Sequence, residues 1–238
     1  MNKNVITWGH RGSTYGPENT ILSFSKAIEM GVDGIELDVY KSKDGHMMVT
    51  HADAIEIGDT RYRISKLPLE ELKKVKFEDD QEMPTLDEVF TRFERATNKT
   101  LLYSVDIRDL RSFEDYFQVL ESHDVLDRVY TCFDSRYSLK KMQRMHPELI
   151  KILSLQGGGQ AAIEEIQKVD ASTLKVINLS SEHLTSEIIE MIHKKNLLSF
   201  VWECNDKETI KKFVELGVDG IYSDYPDILV NVVKDHSS

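Results

Sequence analysis

Two carboxylates stand two residues apart in the short apolar run Gly34-Ile35-Glu36-Leu37-Asp38. In a strand, residues i and i+2 face the same side, about 7 Å apart along the chain. Glu36 and Asp38 would therefore share a face near the C-terminal end of that strand. Two unpaired buried charges cost several kcal/mol or force protonation. A hard divalent cation removes that cost, and an all-oxygen donor set suits Mg²⁺ or Ca²⁺, with Mn²⁺ also accommodated. A salt-bridged pair at a strand end is the plainer alternative. His10-Arg11-Gly12 directly follows the first β-branched run and belongs on the same rim. Imidazole transfers protons near neutral pH, guanidinium grips phosphate with a planar fork, and glycine lets backbone approach closely.

Further residues gather around this pair. Asp44-Gly45 is a two-residue hairpin signal, and a turn centred there places His51 opposite Asp38, offering a second proton-transfer group beside the carboxylates. In Tyr103-Ser104-Val105-Asp106-Ile107-Arg108, Asp106 and Arg108 share a face. Asp106 is a candidate third ligand and Arg108 a phosphate clamp, unless the two simply neutralise each other. Pro17-Glu18-Asn19-Thr20 carries ordinary helix-capping chemistry, and Glu18, near the rim, is also a candidate further metal ligand. Trp202 ends a late strand and is expected to wall the site. Asn205 reads as a helix cap, Gly157-Gly158-Gly159 as a flexible loop, and Asp224-Tyr225-Pro226 as a stop before the last helix.

Positioning these groups on one rim requires many parallel strands. Strand-like runs cover Val5–Trp8, Gly34–Asp38, Leu101–Ile107, Val129–Phe133, Ile152–Leu155, Lys175–Leu179, Leu198–Trp202 and Gly220–Ser223, separated mainly by amphipathic segments. Eight strands alternating with helices predict a TIM-type (β/α)8 barrel. Gly31-Val32-Asp33-Gly34-Ile35 and Gly217-Val218-Asp219-Gly220-Ile221 are identical and read as the same helix-to-strand joint used twice. Thr85 and Glu88 form a capping box that starts a helix. Residues 39–84 hold no barrel helix and predict a β-hairpin with an irregular insertion after the second strand. One barrel domain over 1–238 is the expected organisation.

Composition narrows the function. The chain has 238 residues and a formal charge of −11 with no basic block, which argues against a nucleic-acid partner. No apolar run reaches membrane-span length, so no stable membrane association is expected. The first ten residues lack a secretory-signal pattern, and Cys132 and Cys204 read as free buried thiols of a reducing compartment. A cytoplasmic location is expected, and nothing marks an oligomer interface.

These motifs together resemble the glycerophosphodiester phosphodiesterase family. The resemblance rests on His10-Arg11-Gly12, Pro17-Glu18-Asn19-Thr20, Gly34–Val39, Lys43-Asp44-Gly45 with Met48-Val49-Thr50-His51, Pro84-Thr85-Leu86, Val201-Trp202 and Gly217–Pro226. It implies a β/α barrel that hydrolyses a small-molecule glycerophosphodiester to glycerol 3-phosphate and an alcohol with a divalent metal. It further implies that His10 and His51 are the acid/base pair, that Glu36 and Asp38 bind metal with Glu18 close by, and that Arg11 contacts phosphate. Asp106 and Arg108 depart from the family's Glu and Lys, and Ala52 stands where an Asp usually follows the second histidine. Rival readings are a lysophospholipase D-type enzyme and a non-catalytic barrel that binds a phosphorylated ligand.

Overall fold

Short β-branched runs here are followed by capped amphipathic segments, so each strand returns through a helix to lie parallel to an earlier one. The computed structural model describes residues 5–57, 60–96, 99–109 and 112–237. In chain order the strands are β1 (Ile6–Gly9), β2 (Gly34–Lys41), β3 (Met47–Val49), β4 (Ala54–Ile57), β5 (Thr60–Arg63) and β6 (Leu102–Ile107). They continue as β7 (Val129–Phe133), β8 (Ile150–Leu155), β9 (Val176–Ser180), β10 (Leu198–Trp202) and β11 (Gly220–Ser223). Around the sheet the order is β1-β11-β10-β9-β8-β7-β6-β2, and pairing of β1 with β2 closes it into an eight-stranded parallel barrel. The helices cover its outside.

Strand alternation divides the residues. Odd-numbered side chains such as Ile35, Leu37, Val105, Ile177, Leu179 and Ile221 join the outer core beneath the helices. Even-numbered ones fill the barrel: Trp8, Cys132, Ile152, Val176, Phe200 and Tyr222 form a separate inner cluster, with Ile6, Leu102, Tyr130 and Leu198 against it. Polar residues take over at the C-terminal ends of the same strands, which leaves the chemistry at the top of a packed interior.

The duplicated joint is structural. Gly31 and Gly217 adopt φ of +91° and +80° at the helix ends. A Cβ on Gly34 would lie 2.4 Å from the Trp8 ring, and one on Gly220 would lie 2.7 Å from the Phe200 ring. Their absent side chains thus make room for the inner aromatic cluster. The aspartates between them also correspond: Asp33 accepts from the Thr7 N–H at 2.8 Å and Asp219 from the Ser199 N–H at 2.9 Å.

The hairpin register differs from the expected one. β2 pairs with β3 as Val39–Val49, Tyr40–Met48 and Lys41–Met47. The turn has three residues, Lys43-Asp44-Gly45, closed by the Ser42 N–H donating to the His46 carbonyl at 2.8 Å. Gly45 takes φ of +100°, and the Ser42 hydroxyl donates to Asp44 while accepting from the His46 N–H. The extra turn residue shifts the ladder by one. Asp38 therefore faces Thr50, whose N–H donates to the Asp38 carbonyl at 3.0 Å, and His51 lies one residue beyond.

The insertion is also more ordered than expected. β4 and β5 form a two-stranded ribbon. Met48, Ile55, Ile64, Leu72 and Met83 build a small core of their own, flanked by Tyr40, Leu67, Leu69, Val75 and Phe77. The Asp44 carboxylate accepts the Leu69 N–H and ties the insertion to the hairpin turn. The Thr85–Glu88 capping box forms as expected. Gly158 and Gly159, read as flexible loop, instead cap and begin the helix Gly159–Gln167, with His183 packed where a Gly158 side chain would stand. No helix among the described residues is long and apolar enough to cross a membrane.

Candidate active site

The C-terminal ends of β2 and β6 bring three carboxylates together. Glu36 is 5% and Asp38 1% exposed, and oxygens of Glu36, Asp38 and Asp106 all lie within 4.8 Å of one another. Register explains this, because Asp38 is the direct neighbour of Asp106 across the β2–β6 ladder. Burial and the charge of Asp38 push the Glu36 carboxyl up to about 8. Burial likewise raises Asp106, against the pull of Arg108. Three oxygen donors held this close repel one another, and a hard divalent cation is the group they fit.

Arg108 partly offsets that charge. It donates to Asp38 through Nε at 3.1 Å and Nη2 at 2.7 Å, and Nη2 stands 3.0 Å from Asp106. The two readings of Asp106 and Arg108 therefore coexist: they pair, and both face the site. Cys132, buried and free as expected, donates its thiol to Asp106.

His10 and Arg11 leave the end of β1. The Arg11 N–H donates to Glu36 at 2.8 Å, and its Nε lies 3.5 Å from Asp38. Arg11 takes φ of +48°, a left-handed conformation that is uncommon without glycine. It lets the backbone amide and the side chain both turn toward the carboxylates. The His10 ring spans two neighbours: Nδ1 bonds Asp224 at 2.7 Å, and Nε2 stands 3.9 Å from Glu36. Burial opposes the charged imidazole, yet the Asp224 hydrogen bond and the Glu36 and Asp224 charges hold its pKa up to about 9.

A cavity of about 200 Å³ lies above these groups, lined by His10, Arg11, Glu36, Asp38, His51, Asp106, Arg108 and Trp202 from the expected set. His51 reaches it from the bend after β3 and is exposed. Glu18 does not join the carboxylate cluster. It pairs with Arg11 at 2.9 Å and lines an adjoining hollow with Glu203 and Asp224.

Several site residues escaped the sequence reading. Asp224, read as a stop signal, holds His10. Asn205, read as a cap, donates to Asp224 at 2.7 Å, and Asp206 caps the following helix instead. Burial alone would raise Asp224, but bonding to His10 and Glu203 holds it well below the usual carboxylate range. The bond with Asp224 and its own burial hold Glu203 above that range. Asn19 exchanges hydrogen bonds with Asp38 through Nδ2 and the Asp38 N–H, while Thr20 is the true cap. Ser154, Gln156, Asn178 and Tyr222 complete the cavity. Their signal was available: all are even-numbered, like the inward-facing residues around them.

A family model for the glycerophosphoryl diester phosphodiesterase family matches residues 10–228. The chain belongs to that family. A glycerophosphodiester phosphodiesterase of Caldanaerobacter subterraneus subsp. tengcongensis is 30% identical, over 97% of this chain and 98% of the relative. One from Bacillus subtilis is 26% identical, over 97% of this chain and 87% of its own length. Solved structures share the barrel. The glycerophosphodiester phosphodiesterase of Thermotoga maritima superposes with TM-score 0.81 at 24% identity, covering 98% of this chain and 100% of the other. A phosphodiesterase of Oleispira antarctica, in complex with the product sn-glycerol-3-phosphate, gives TM-score 0.84 at 21% identity, covering 96% of each chain. Glycerophosphoryl diester phosphodiesterases are phosphoric diester hydrolases, the reaction class expected from the motifs.

Proposed function

We propose that this protein hydrolyses a glycerophosphodiester to glycerol 3-phosphate and an alcohol, with a divalent cation and the histidines His10 and His51 as acid and base. The observation that carries the reading is the single rim cavity in which three clustered carboxylates, two histidines and two guanidinium groups meet. Membership of the family and the glycerol 3-phosphate bound by the Oleispira antarctica relative support the substrate class.

Glu36, Asp38 and Asp106 would hold the cation, with Mg²⁺, Ca²⁺ and Mn²⁺ all suited to oxygen donors. When bound, such an ion neutralises phosphoryl charge and lowers the pKa of a coordinated nucleophile. Arg11 and Arg108 grip the phosphate and stabilise the charge that develops on it. His10 exchanges a proton through Nε2, because Nδ1 is committed to Asp224. That bond fixes the tautomer and turns the ring toward Glu36. His51 serves the opposite proton transfer from the insertion side. Trp202 walls the cavity. Glu18 acts through Arg11 rather than as a ligand.

The test is release of glycerol 3-phosphate from a panel of glycerophosphodiesters by chelator-stripped protein, with each cation added back. Turnover should require a cation and fall at least about 10²-fold in His10→Ala. Ligand binding without turnover under any cation would favour a non-catalytic barrel.

A further inference from the structure

We infer that Asn178, with Trp202, forms the hydroxyl-recognition wall of the cavity and binds the glycerol moiety of the substrate. This rests on the reading of the site as a glycerophosphodiesterase. In the strand order β9 is four places from β2 in either direction, so Asn178 stands across the barrel from Glu36 and Asp38. A substrate whose phosphate lies over the carboxylates extends its organic arm toward that wall.

The residues there are placed for a ligand. Asn178 is 6% exposed and lines the catalytic cavity. Its Oδ1 has no hydrogen-bond partner in the protein, and neither does Nε1 of Trp202, another lining residue. Leaving a buried polar group unpaired is costly, and that cost is not incurred where an apolar side chain would pack equally well. The layer below is apolar: Ile152 and Val176 fill it, with Leu198 against them. Asn178 is the register partner of Phe200, and Trp202 that of Ser180, so the tryptophan sits one layer higher on the adjacent strand.

Chemistry selects the ligand group. A phosphodiester carries no proton at neutral pH, so its oxygens can satisfy the indole N–H but cannot donate to an amide oxygen. A hydroxyl does both: it donates to Oδ1 and accepts from Nε1. Either end of the amide is satisfied by such a group. A polyol arm meets both unpaired atoms, whereas an aryl or alkyl ester arm without a hydroxyl has no proton to donate to Oδ1. Sites built to bond a hydroxyl discriminate strongly against substrates that lack it.

The experiment compares kcat/KM for glycerophosphocholine and bis(p-nitrophenyl) phosphate under one cation, in wild type, Asn178→Leu and Trp202→Phe. The ratio of the two values should fall at least about 10-fold in Asn178→Leu, and in the same direction in Trp202→Phe. Equal losses on both substrates in both variants, or an unchanged ratio, would overturn the assignment. Wild-type protein that cleaves only the nitrophenyl diester overturns the substrate reading and this inference with it. Wild-type selectivity that persists in both variants overturns this inference alone.

Discussion

His10 is tied at Nδ1 to Asp224, and Asp224 is fastened in turn by Asn205, which donates from its amide and accepts the Asp224 N–H at 2.9 Å. This chain turns one imidazole nitrogen to the cavity. Replacing Asp224 by Asn keeps the shape but frees the tautomer and removes the charge that favours a protonated ring. The expected outcome is a fall in kcat of about 10²-fold or more, with the Kd for glycerol 3-phosphate changed much less, read by kinetics beside calorimetry. Equal losses in both would instead mark a collapsed site. Glu36, Asp38, His10 and Arg11 were legible in the sequence because their spacing and strand-end position are local facts. Asp224 was not, because what defines it is a partner that only closure of the barrel supplies; parity puts Asn178 on the inner face of its strand but does not say which wall it forms.

The elements were easier to read than their pairing. All eight barrel strands and the Thr85 cap follow from β-branched runs and capping chemistry, with ends shifted by at most three residues. The hairpin register was misread because Asp44-Gly45 signals a two-residue turn, while Ser42 recruits Asp44 and His46 into a three-residue one. The repeated joint was recognised as a joint, but the reason for its second glycine lies in rings from other strands. Gly34→Ala pushes a methyl into Trp8 and toward the Leu102 carbonyl at 2.7 Å. It should destabilise the protein by about 1–3 kcal/mol, measured as a lower denaturation midpoint at unchanged slope. Alanine at Gly217, where nothing lies within 4 Å of a Cβ but φ is +80°, would cost through backbone strain alone.

At the scale of the whole molecule, one sequence parity separates stability from chemistry. Odd positions of the barrel strands face the helices, lower even positions fill the barrel, and upper even positions line the cavity. The insertion is the part that sequence left unresolved, since its apolar residues are scattered over Tyr40 to Met83 with no period to reveal a second core.

That second core has a consequence for how the protein fails. His51 enters the cavity from a segment leading into a unit that is held by its own few apolar side chains and by charged surface pairs such as Lys76–Glu82. Small clusters of this kind open at lower free energy than a closed barrel. Loss of activity on titration with urea should therefore precede loss of the barrel's circular-dichroism signal, and amides of the insertion should exchange first. Coincident transitions would show instead that the two cores melt as one cooperative body. If the transitions separate, the working lifetime of the catalyst is set by its weakest fragment rather than by the scaffold that carries most of its mass.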